Sequence, residues 1–169
     1  LRTAANNIAP DARFAPELSF SVTSGTYLVI GLDIDAPFPS FNVLGPILHC
    51  MSYKPYLPKP QSKTTQVTLS TGIQPGLKPE TAADGTTKLS AAGTPFVANY
   101  IGPAPPPPSS PHHYVFLLYK QPEGFDAAKF APPGGKNLGN WSRMRFDLGE
   151  WERKAKLGPV IASNYFVSN

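Results

Sequence analysis

The sequence predicts a mainly β fold closed by one or two helices near its C-terminus. Three observations carry this. The 169 residues include 21 Pro and 14 Gly, which disfavours long helices and favours turns and edge segments. Short runs rich in β-branched and aromatic residues recur along the chain, each bounded by Gly, Pro, Ser or Asn. Helical periodicity emerges only late.

The strand signals in chain order are ELSFSV (17–22), TYLVIGLDID (26–35), PILHCMSY (46–53), TQVTLS (65–70), PFVANYI (95–101) and HHYVFLLYKQ (112–121), with PVIASNYFVSN closing the chain. In TYLVIGLDID the strand period puts Leu28, Ile30, Leu32 and Ile34 on one face and Tyr27, Val29, Asp33 and Asp35 on the other. The helical signal is RFDLGEWERKAKL (145–157), with Asp147 suited to the first turn and Gly158-Pro159 to the stop. A shorter helix is expected to start at Asp126. Residues 54–94 are polar and turn-rich and read as a long surface insertion joining two core strands, with a lid or partner-binding loop as the alternative. GPAPPPPSSP (102–111) can adopt polyproline helix and reads as a rigid rim running directly into His112. The length suits a single domain over 1–169 with a substantial core.

Composition narrows the function classes. The net charge is +4, but the basic residues are scattered. The densest group, Arg143 to Lys156, is interleaved with Asp147, Glu150 and Glu152, which reads as a solvated helix face rather than a nucleic-acid-binding stripe. No apolar stretch approaches the length of a transmembrane segment. The single cysteine, Cys50, excludes an intramolecular disulfide framework and a Cys-rich metal site; in its apolar run it reads as a small core residue. The chain starts at Leu1 with no Met and no charged leader, as expected of a processed or trimmed product. Asn140-Trp141-Ser142 is a glycosylation sequon, which tips the expected localisation toward the secretory pathway. No motif calls for a cofactor or a metal.

The chemistry-bearing candidates are Asp33 and Asp35, His49, His112 and His113, and Tyr114. Singly, each has an ordinary explanation: a hydrogen-bonded core histidine, a turn-capping aspartate, a packed tyrosine. Together they say more. Three strands each bring titratable groups to the end of an otherwise apolar run, and His112 and Tyr114 project from the same strand face.

At these residues the sequence resembles the phosphatidylethanolamine-binding protein family. DIDAP (33–37) is similar to the family's Asp-Pro-Asp-Ala-Pro box, and His49 follows Pro37 at the spacing of its pocket histidine. YIGPAPPPPSSPHHYVFLLYKQ (100–121) resembles the second box, matching it at Tyr100, Gly102, Pro105, Pro106, His112, Tyr114, Phe116, Tyr119 and Gln121. DLGEWERKAKLGPVIASNYFVSN resembles the closing helix, Gly-Pro turn and last strand. The resemblance implies an antiparallel β-sandwich with C-terminal helices and a small anion pocket formed by Asp33, Asp35, His49, Pro105, His112 and Tyr114. In it the acids would hold the histidines as donors toward a phosphate- or carboxylate-bearing ligand. The departures imply a reshaped pocket mouth. Ile47 and Leu48 replace an aromatic wall, Ile34 replaces a proline, and His113 replaces an arginine. Pro107, Pro108, Ser109, Ser110 and Pro111 replace a Gly-rich turn.

Three functions follow as expectations. The first is binding of a small anionic ligand, with no catalysis, in a protein that also engages a protein partner. The second is an enzyme on the same pocket, of the kind some fungal relatives contribute to anhydride-type (maleidride) natural products. There His49 and His112 would be the acid–base pair, with Asp33 or Asp35 orienting an imidazole. The third is inhibition of a serine carboxypeptidase through an exposed segment such as 54–94.

Overall fold

The computed structural model of the chain describes residues 17–19, 24–48, 66–68, 71–81, 83, 87–90 and 96–168. Nine strands occur among them: β1 (Glu17–Ser19), β2 (Tyr27–Asp33), β3 (Ile47–Leu48), β4 (Gln66–Thr68), β5 (Thr71–Thr81), β6 (Thr87–Ser90), β7 (Ala98–Asn99), β8 (His112–Lys120) and β9 (Val160–Ser168). They pair in the order β1-β4-β6-β5-β2-β8-β9, with β3 also on β2 and β7 also on β5. Every pairing is antiparallel except β4 with β6. The mainly antiparallel architecture is therefore as expected, with one parallel pair added. The expected strand residues 20–22 and 49–53 lie outside the described residues.

β2 is the centre of the arrangement, flanked by β5 and β8, and all seven of its residues are buried. Burial on both faces explains why it reads as a nearly continuous apolar run. The strand ends at Asp33, so the period-two pattern stops there: Ile34 is 41% exposed rather than part of the core face. The core gathers around Leu28, Ile30, Ile73, Leu77, Phe116 and Leu118.

The segment 54–94 requires a correction. Residues 71–81 are not surface loop but strand β5, whose first part pairs with β2 and β7 and whose last part, Lys78–Thr81, pairs with β6. TGIQPGLKPET conceals this, because Pro75 and Pro79 and two glycines break the usual strand signature. The irregularity has a structural use. Opposite Tyr27–Val29 the register slips, as Leu77 and Gln74 are their partners, and Gly76 inside the slip has φ of 74°, a conformation glycine adopts without steric cost. The Gly76 N–H, displaced from the ladder, donates to the Gln121 side chain.

The C-terminal region holds one α-helix, α1 (Leu148–Ala155), shorter than the 145–157 periodicity. Asp147 caps it, its carboxylate accepting the Glu150 N–H at 2.7 Å, and Lys156 ends it in the left-handed conformation before Gly158-Pro159 is reached. The helix expected at Asp126 is a single 3-10 turn, Ala127–Lys129, capped by that aspartate. Trp151 of α1 packs on Phe125, Phe130 and Phe146. The sequon lies in an exposed 3-10 turn, Asn140–Ser142. No helix among the described residues is long and apolar enough to cross a membrane.

Arg143 also departs from its sequence reading. It precedes α1 and is only 1% exposed. Its guanidinium donates to four oxygens, the carbonyls of Leu138, Leu48 and Asn99 and the side-chain Oδ1 of Asn99. The guanidinium thus ties β3 and β7 to the segment leading into the helix, a role suited to its planar set of donors.

Candidate functional site

The site forms where β2 ends beside the start of β8. In that antiparallel ladder Asp33 stands opposite Tyr114, which leaves His112 diagonally across from Asp33. His112, Tyr114 and Phe116 are buried on the same side of β8, as their spacing predicts, and His113 between them is exposed.

The two acids divide between the two histidines. Asp33, 3% exposed, accepts the Nδ1–H of His112, 1% exposed, at 2.8 Å. Its other oxygen accepts the backbone N–H of Asp35 at 2.9 Å. A buried carboxylate needs such partners. Asp35 instead faces outward and accepts both the backbone N–H and the Nδ1–H of His113, each at 2.7 Å. Asp35 therefore pairs with His113 rather than with His112. Both acids would face the same way only if the strand continued, and the backbone bends at 34–35.

With Nδ1 committed to Asp33, the remaining ring nitrogen of His112 is Nε2. It lies 2.9 Å from the hydroxyl of Ser109. Ser109 belongs to the proline-rich segment and is held there by its own N–H, which donates to the Pro106 carbonyl. A stack of rings backs the imidazole. Tyr114 lies 6.4 Å from it and is itself stacked on Phe166 of β9 at 5.0 Å, its direct partner across the β8–β9 ladder. Burial, and after it the negative charge of Asp33, raises the Tyr114 hydroxyl above the ordinary tyrosine range, so the phenol stays protonated beside the carboxylate.

Of the expected site residues, the structure thus joins Asp33, His112 and Tyr114 and sets Asp35 one step outward with His113. Pro105 is half-buried in the same proline-rich segment as Ser109. His49 and Cys50 lie outside the described residues. Ser109 and the pairing role of His113 escaped the sequence reading. The signal for Ser109 was a serine three residues before a strand-initiating histidine, at the end of a stiff segment.

Comparisons with known proteins agree with this architecture. The family model of phosphatidylethanolamine-binding proteins matches residues 3–166. The carboxypeptidase Y inhibitor of Saccharomyces cerevisiae is 38% identical over 82 residues, 48% of this chain and 37% of that protein. Phomoidride biosynthesis cluster protein N of Talaromyces stipitatus is 38% identical over 74 residues, 42% of this chain and 35% of that one. The chain therefore matches little more than a third of the length of these relatives. Among solved structures, carboxypeptidase Y inhibitor complexed with its cognate proteinase is similar with a TM-score of 0.58 at 25% identity, covering 89% of this chain and 63% of that one. A match over nearly the whole sequence, together with this fold, establishes that the chain belongs to the phosphatidylethanolamine-binding protein family.

Proposed function

We propose that the protein binds a small ligand carrying a phosphate, carboxylate or similarly strong acceptor group at the Nε2 edge of His112. One observation carries this reading. The buried Asp33 fixes Nδ1 of His112 at 2.8 Å and so leaves Nε2 as the nitrogen directed at the proline-rich segment. An imidazole held in this way by a carboxylate is a positioned donor whenever it is charged. The arriving oxygen would take the place of the Ser109 hydroxyl. Calorimetric titration with inorganic phosphate, phosphorylethanolamine and small dicarboxylates tests it. The expected result is one-to-one binding of at least one of them, lost in His112→Ala. Binding that survives His112→Ala, or none at millimolar concentration, overturns the reading.

The relatives favour a second reading, inhibition of a serine carboxypeptidase. It rests on the 38% identity to the yeast inhibitor and the fold shared with that inhibitor in its proteinase complex. Titrating carboxypeptidase Y activity with the purified chain should give stoichiometric loss of hydrolysis. That loss should persist in His112→Ala if the inhibitory surface lies elsewhere. Undiminished hydrolysis at excess chain would exclude the reading.

A further inference from the structure

Ser109, His112 and Asp33 form a continuous chain of side-chain hydrogen bonds. Ser109 Oγ is 2.9 Å from His112 Nε2, and His112 Nδ1 is 2.8 Å from Asp33 Oδ2. We infer that Ser109 is an activated nucleophile, with His112 as its general base and Asp33 as the group that orients the imidazole, and that its substrates are esters or other activated acyl compounds. The inference goes beyond ligand binding and rests on different atoms, those of the Ser109 hydroxyl.

Several features of the geometry support it. The order of contacts is the one that a serine nucleophile requires: carboxylate to Nδ1, hydroxyl to Nε2. Asp33 Oδ2 can only accept from Nδ1, which fixes the neutral tautomer with its lone pair on Nε2, facing the hydroxyl. The imidazole and carboxylate are buried, at 1% and 3% exposure, and Asp33 is held further by the Asp35 N–H. Ser109 is half-buried, so the nucleophile stands between the buried pair and solvent. The Ser109 hydroxyl also lies 2.9 Å from the Ser110 carbonyl. One proton therefore serves two acceptors. When Nε2 is unprotonated the hydroxyl donates to it; when Nε2 carries a proton it donates to Oγ, and the hydroxyl turns to the Ser110 carbonyl. Both protonation states leave the array satisfied, as a proton acceptor that must also return its proton requires. Ser110 carries the next peptide N–H, the position from which a residue following a nucleophile donates to a developing oxyanion.

The chemistry balances without a cofactor. Ser109 Oγ forms a bond to the carbonyl carbon while its proton passes to His112 Nε2. The bond from that carbon to the leaving oxygen breaks, and Nε2 returns the proton to the departing alcohol. Water then attacks the acyl-serine, gives its proton to Nε2, and the carboxylic acid leaves as Ser109 Oγ is reprotonated.

A fluorophosphonate probe tests the inference directly, because the serine oxygen displaces fluoride and stays bonded to phosphorus. The expected result is a one-to-one adduct whose fragment masses place it on Ser109. It should be absent in Ser109→Ala and form about 100-fold more slowly in His112→Gln, the loss of a general base. Should His112→Gln fail to fold, Ser109→Cys takes its place. Its thiol should react with iodoacetamide at least about tenfold faster than free cysteine at neutral pH, as a His-paired thiol does. No adduct, an adduct on another residue, an unchanged rate in folded His112→Gln, or an ordinary thiol at 109 overturns the inference. Failure here is separable from failure of the binding reading: wild-type protein that binds phosphate yet resists the probe keeps the latter and loses the former.

Discussion

Phe116 lies across Gly31, its partner in the β2–β8 ladder, so closely that a Cβ on residue 31 would stand 2.8 Å from the phenyl Cε1. The same ring stacks on Phe166 at 5.8 Å, Phe166 stacks on Tyr114, and Tyr114 stacks on the imidazole of His112. The absent side chain at 31 is thus what allows an aromatic series to settle beneath the site.

Gly31→Ala is accordingly expected to destabilise the fold by about 1–3 kcal/mol, the usual cost of forcing a packed ring to move. Urea unfolding followed by tryptophan fluorescence measures it. A neutral substitution would mean that Phe116 can shift freely.

The two histidines should separate sharply in stability. His112→Ala leaves the Asp33 carboxylate buried without its imidazole partner, at an expected cost of about 3–5 kcal/mol. His113→Ala removes an exposed imidazole from a half-buried Asp35 that keeps the backbone N–H, and should cost about 1 kcal/mol or less. Parallel denaturant titrations decide the matter, and equal costs would contradict the burial difference.

Arg143→Lys retains the charge but offers a point donor where four carbonyl and amide oxygens converge. With several buried acceptors left unmatched, a loss of about 2–4 kcal/mol is expected. Thermal unfolding of Arg143→Lys beside Arg143→Met would show whether geometry or charge matters more: similar losses implicate geometry.

Alkaline pH should weaken the protein through two tyrosines. Burial raises Tyr114, as does the Asp33 charge, and burial raises Tyr119 with help from its hydrogen bond to Glu152 at 2.8 Å. In the unfolded chain both ionise near pH 10, so below that pH their contribution to stability is complete. Above it the folded state holds protons that the unfolded state has released. Stability then falls as pH rises, by up to about 1.4 kcal/mol per pH unit for each tyrosine. Absorbance at 295 nm should show at least two of the seven tyrosines ionising only with unfolding. Smooth ionisation of all seven in the folded protein would refute this.

The strands that escaped and those that were legible differ in a simple respect. β2 and β8 declare themselves through Tyr27–Leu32 and Tyr114–Tyr119, where side chains alone set the pattern. β5 is placed by its neighbours: β2, β6 and β7 supply its pairing, and a proline at position 79 remains paired in register with Leu89. Tertiary pairing overrides local propensity there. The site divides the same way. Strand periodicity put His112 beside Tyr114, but it could not foresee the bend after Asp33, which turned Asp35 toward His113. Ser109 sits on a turn, where no periodicity exists to project its hydroxyl.

The proline-rich segment has a consequence for recognition. Between residues 103 and 111 six of nine positions are proline, and a proline has no peptide hydrogen to offer. Of the three remaining peptide hydrogens, that of Ser109 is already given to Pro106. Many anion sites grip their guest with main-chain amides, which only a substitution to proline removes. This rim is nearly devoid of them, so a ligand of the kind proposed would have to be held there by side chains rather than by the main chain. If the proposed ligand does bind at the Nε2 edge of His112, exchanging Ser109 should redirect what is bound while the sheet beneath stays as it is.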